Sequence, residues 1–189
     1  MEERIRVITL LKKNEYQEVL ESMARKMIEM YQSNARTERK NKLIVFGNGG
    51  SAEQASHFAT ELVIRYSGKR NRPSLPAIAL TDSGAITAGA NDFGYDQVFS
   101  RPIEGLATRG DIALGISTSG KSANVLKALE EAKKRGAITM AFAGRRGLST
   151  SVDYDFKVPA EETSIVQEAH LYAIHWICER IDKAFEIKA

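Results

Sequence analysis

Lys42-Leu43-Ile44-Val45-Phe46-Gly47-Asn48-Gly49-Gly50-Ser51-Ala52-Glu53-Gln54-Ala55-Ser56-His57-Phe58-Ala59-Thr60-Glu61 is the stretch that decides the fold. A short apolar run rich in β-branched residues predicts a buried strand. The Gly47–Ser51 turn lets the backbone take φ > 0 and lie against a ligand. Ser51 is the expected N-cap of the helix that follows, a segment free of Gly and Pro. Strand, glycine turn and helix start form an anion site, where orphan N–H groups and the helix dipole converge. His57 and Glu61 stand four apart and share one helix face.

Outward from this unit, strands alternate with helices. The first 46 residues hold neither Gly nor Pro, and Ile5, Ile8, Leu11, Val19, Met23, Met27 and Met30 recur at helical spacing. They predict one long or two consecutive helices, with Asn14 a possible break. The Met-rich stripe points to a helix given to a subunit interface, with an extra layer on the domain as the alternative. Downstream, strands are expected at 75–80, 111–116, 137–142 and 154–158. Helices are expected at 86–90, 96–107, 123–135 and 163–185, with turn chemistry at 91–95. Gly136 is the expected helix stop. The pattern predicts one α/β domain over 1–189, a parallel sheet covered on both faces, with a helical extension over 1–40.

The bulk numbers fit this. The chain has 189 residues, 43% hydrophobic and 27% charged, with net charge +3. That supports one full core and argues against nucleic acid as main partner. No apolar run approaches a membrane span, and the start lacks the apolar core of a signal peptide. One cysteine, Cys178, excludes an intrachain disulfide and suits a reducing compartment, so a cytoplasmic location is expected.

Two loops invite other readings. Gly47-x-Gly49-x-x-Ala52 partly fits a dinucleotide fingerprint, but the acidic residue expected about 20 positions on is missing. Gly115-Ile116-Ser117-Thr118-Ser119-Gly120-Lys121-Ser122 satisfies the P-loop expression. No other strand ends in an Asp suited to Mg²⁺, and the hydroxyls of Ser117, Thr118, Ser119 and Ser122 could all donate to one phosphate. The loop therefore reads as a static phosphate cradle. In the last helix Gln167 and His175 stand eight apart, ~80° around the axis, so both can reach one cavity. Imidazole, carboxylate and amide oxygen suit a borderline metal such as Zn²⁺.

Together, Gly47–Ser51 with His57-x-x-x-Glu61, Pro73–Leu80, Asn91-Asp92-x-Gly94-Tyr95, Ile116–Ser122 and Val166-Gln167-Glu168-x-His170-x4-His175 resemble the phosphoheptose isomerase family of the sugar-isomerase (SIS) domain superfamily. The likeness runs in order through nearly the whole chain. It implies a five-stranded parallel sheet between helices and a homotetramer with sites at subunit interfaces. It implies interconversion of sedoheptulose 7-phosphate and an aldose 7-phosphate through an enediol, a step of heptose biosynthesis. The implied catalytic pair is Glu61 and His175. The implied zinc ligands are His57, Glu61, Gln167 and His175. Substrate contacts carry over to Asn48, Gly49, Gly50, Ser51, Glu61, Asn91, Asp92, Ser117, Thr118, Ser119, Ser122 and Gln167.

Ile165 stands where the family often has Arg, and the 80–84 stretch is about one residue short. Both keep an isomerase of another sugar phosphate open. A non-catalytic sugar-phosphate regulator is the other alternative. Such relatives tend to lack the acid after the first His and the final His, and this chain keeps both.

Overall fold

The computed structural model describes residues 1–36, 38 and 40–187. The end of the expected 1–40 extension, at positions 37 and 39, thus lies outside the described residues. Five strands form one sheet: β1 (Leu43–Gly47), β2 (Ala77–Ala79), β3 (Ile112–Ser117), β4 (Ile138–Ala143) and β5 (Tyr154–Lys157). Their order is β2-β1-β3-β4-β5, and every pairing is parallel. The chain reverses direction across the sheet between β1 and β3, and a crevice opens at the strand C-termini there.

Alternation along the strands sorts side chains to two faces. Leu43, Val45, Ile112, Leu114 and Ile116 join a core with α1 (Glu2–Leu10), α2 (Asn14–Ser33), α3 (Gly50–Val63) and α7 (Thr163–Phe185). Ile44, Phe46 and Ala113 face α5 (Ser100–Leu106) and α6 (Ala123–Lys134). Gly115 is required on that face: a Cβ there would come within 2.9 Å of Val125 and Leu129 side-chain atoms. The stripe of Met23, Met27 and Met30 is buried in the first core, so its apolar surface is used within the chain.

Several local expectations shift. The N-terminal segment breaks at 11–13, and Asn14 opens α2. Ser51 is not the N-cap of α3. Gly49 holds that place at φ +55, and Ser51 lies buried inside the first turn. A glycine can take this backbone angle without a Cβ clash, which a serine cap would not permit. The short helix expected at 86–90 is the longer α4 (Ser83–Phe93), capped by Asp82, whose carboxylate accepts from the Ala85 N–H. Asn91 and Asp92 therefore sit in the last turn of a helix and not in a turn, and the chain reverses at Gly94, φ +86. The helix expected over 96–107 begins only at Ser100, which places Pro102 in its first turn, where a missing N–H costs least.

Candidate active site

α3 and α7 pack side by side on the sheet and bring together His57, Glu61 and His175. His57 lies between the other two. Its Nε2 is 2.9 Å from Nε2 of His175, and its Nδ1 is 3.6 Å from Oε1 of Glu61. The second distance is too long for a hydrogen bond, yet a carboxylate there favours a proton on Nδ1. One of the two facing Nε2 atoms donates to the other, the direction being set by the tautomers of the two rings. Burial holds the His175 imidazole below its ordinary pKa; His57 adds to the shift and Glu61 opposes it. Tyr66 packs its ring 5.4 Å from that of His175 and restricts how the imidazole can turn.

A buried ion pair fixes the seam. Arg72 donates through Nε to Asp182 at 2.6 Å, and both side chains are fully buried. Three of its other four N–H groups donate to the carbonyls of Glu61, Leu62 and Pro73. Two of those carbonyls belong to the last turn of α3, where intrahelical donors run out, and that of Leu62 also accepts from the Leu75 N–H at 3.1 Å. Asp182 also accepts from the Ser67 N–H. One guanidinium thus ties the helix carrying Glu61 to the helix carrying His175.

A second set of predicted residues gathers at the strand ends. Gly50 lies directly under Gln167: a Cβ on Gly50 would be 2.5 Å from its Nε2. Gln54 donates to the Gln167 carbonyl at 2.7 Å. The amides of Asn48 and Asn124 exchange two hydrogen bonds, of 2.9 and 2.8 Å. Tyr95 also donates to Asn48 Oδ1 at 3.0 Å. In the second loop the Ser117 hydroxyl donates to Ser122 at 3.0 Å, and Ser119 accepts from the Lys121 N–H. Thr118 is half-buried and Ser119 exposed.

Asn91 and Asp92 are exposed and bond to each other, and Tyr95 just beyond them is the link to the first loop. Gln167 lies against Gly50 at the start of α3. Among the described residues no three His, Cys, Asp or Glu side chains form a metal-binding group. Asn124, Tyr66, Tyr95 and the Arg72–Asp182 pair were not among the expected site residues. Asn124 had a local signal, an amide in the first turn after a phosphate loop, and Tyr95 closes the 91–95 motif.

A family model described as "SIS domain" matches residues 7–144. The phosphoheptose isomerase of Thermodesulfovibrio yellowstonii is 51% identical over 152 residues, 78% of this chain and 75% of that one. The chain belongs to the phosphoheptose isomerase family. Solved phosphoheptose isomerases carry the same fold. That of Francisella tularensis superposes with TM-score 0.87 at 32% identity, covering 96% of this chain and 94% of its own. That of Neisseria gonorrhoeae gives 0.83 at 36%, with the same coverage. As in these two solved structures, the fold takes up almost the full length of the chain.

Proposed function

We propose that the chain interconverts sedoheptulose 7-phosphate and D-glycero-D-manno-heptose 7-phosphate, supplying a heptose precursor. The observation that carries this is the row Glu61, His57, His175 on the seam between α3, which starts at the glycine turn, and α7, whose Gln167 lies against Gly50 of that turn. Aldose–ketose exchange moves a proton between C1 and C2 and needs a base near carbon and an acid near the oxygens. Glu61 is the base for the carbon-bound proton. His175, held neutral by burial, passes protons at the two oxygens and assists ring opening. The Gly49–Ser51 turn and the 117–122 loop hold the phosphate and fix the sugar against that row.

The donor chemistry on the seam fits a borderline cation. Two imidazole Nε2 atoms face one another at 2.9 Å, and such a pair shares either one proton or one cation. Zinc would draw on His57, Glu61, Gln167 and His175. Bound there, it would polarise the substrate carbonyl.

The active assembly is a homotetramer in this reading. Ile64 and Phe93 are 66% and 55% exposed, and α4 buries none of its residues within the chain. No described helix is long and apolar enough to cross a membrane. A reducing compartment, the cytoplasm, suits the lone buried thiol of Cys178.

The test is turnover. Sedoheptulose 7-phosphate, a pentulose 5-phosphate and a hexulose 6-phosphate are each incubated with the protein, and the aldose formed is identified by NMR. The heptulose should give the highest kcat/KM, with activity lost on chelation and restored by Zn²⁺. No aldose from the heptulose, or a higher kcat/KM with a shorter sugar, rejects the assignment. Light scattering checks the tetramer.

A further inference from the structure

Every residue so far assigned to the phosphate is neutral, while a sugar phosphate carries a charge of about −1.5 to −2 at pH 7. The loop after β4 supplies what is missing. It is stitched to the 117–122 loop backbone to backbone: the Gly144 N–H donates to the Thr118 carbonyl at 3.1 Å, and the Ser149 N–H to that of Gly120 at 3.0 Å. Gly120, at φ +70, has no space for a side chain, because a Cβ would sit 1.8 Å from the Gly147 oxygen. The Arg145 N–H is fixed to the Ala160 carbonyl, and its guanidinium to that of Pro159.

Beside this stitching lies an open pocket of about 200 Å³, lined by Thr118, Ser119, Lys121, Arg145, Arg146 and Glu161. Three cations face one carboxylate. Glu161 stands 3.6 Å from Arg146. Among the described residues no carboxylate is within ion-pair distance of Lys121 or Arg145.

We infer that Lys121, Arg145 and Arg146 form the cationic wall of the phosphate subsite and make the site selective for substrates ending in a dianionic phosphate. The inference rests on the isomerase reading for its substrate, and on the pocket alone for its ligand class. Thr118 and Ser119 belong to both the hydroxyl loop and this pocket, so one phosphate can meet neutral donors on one side and the wall on the other. Charge-assisted contacts of this kind are roughly twice as strong as neutral ones.

Lys121→Met, Arg146→Met and the double variant test this, with Lys133→Met on α6 as a control for net charge. All are exposed positions, and unchanged melting temperatures confirm folding. Calorimetry with inorganic phosphate reads the subsite without turnover. The double variant should weaken phosphate roughly tenfold. KM for sedoheptulose 7-phosphate should rise in parallel, kcat should fall by less, and kcat/KM should depend less on salt. Lys133→Met should behave as the parent.

Phosphate affinity and KM equal to the parent's in the double variant overturn the wall. A parent that turns over no heptulose phosphate, yet loses phosphate affinity on double substitution, keeps the wall and removes only the substrate assignment.

Discussion

The α3–α7 seam and the loop bed at the strand ends are built from opposite materials. The seam is side chains held by side chains: a guanidinium and a carboxylate fully buried together, aromatic rings against imidazole, and three titratable groups in a row. The bed is neutral, with loop backbone stitched to loop backbone, glycines where a Cβ would collide, and amides and hydroxyls bonded to each other. The seam can shift protons but has little to hold an anion. The bed can hold an anion but has nothing to abstract a proton from carbon. Changes in the seam should therefore appear in kcat or in global stability, and changes in the bed in KM.

The largest effect belongs to the carboxylate of the seam. Glu61→Gln keeps shape and removes the base, so kcat should fall by roughly 10³- to 10⁴-fold with substrate affinity preserved. Stopped-assay kinetics and calorimetry on the same variant read the two halves, and a pure KM effect would erase the division between the regions. Next is Arg72→Met, which leaves Asp182 buried without its partner and should cost about 3–4 kcal/mol in urea unfolding. A loss under 1 kcal/mol would mean the seam is not held by this pair.

His170 gives a pH signature of similar but smaller size. It is fully buried beside Phe142, bonded only at Nε2 to the Ala143 carbonyl, and burial lowers its pKa to about 4. The unfolded chain takes up this proton near pH 6.5 and the folded one only near 4. Stability should therefore fall as pH drops through that window and level below it, by about 3 kcal/mol in all. His170→Leu should flatten this part of the pH–stability curve; an unchanged slope there would show that His170 titrates normally when folded. The smallest effect is Ser122→Ala in the bed. Losing one neutral donor should raise KM severalfold, about 1 kcal/mol, with kcat nearly unaltered.

The two regions also differed in how far they could be foreseen. Alternating strands and helices, the Gly136 stop and the span of α7 follow from periodicity and turn chemistry, which act over a few residues. The loop bed is largely legible for the same reason, since Gly47–Ser51 and Ser117–Ser122 are contiguous. The seam is legible only in its reactive members. His57 and Glu61 announce themselves by i,i+4 spacing, but their alignment with His175 is 118 positions away in sequence. Nothing local marks Arg72, in a polar loop, as the partner of Asp182, 110 residues later. The misplaced N-cap has a conformational cause: cap preferences favour Ser51, but the backbone angle belongs to Gly49. The arginines after β4 went unread because only tertiary stitching carries them to the phosphate loop.

The central claim is that Glu61 moves the carbon-bound proton in a site whose anion bed works without it. Solvent exchange measures this directly. Sedoheptulose 7-phosphate in deuterated water should acquire deuterium at the carbon beside the carbonyl with the parent protein. With Glu61→Gln it should acquire none, although calorimetry still finds the sugar phosphate bound within a few-fold of the parent affinity. Exchange at the parent rate in that variant would contradict the account.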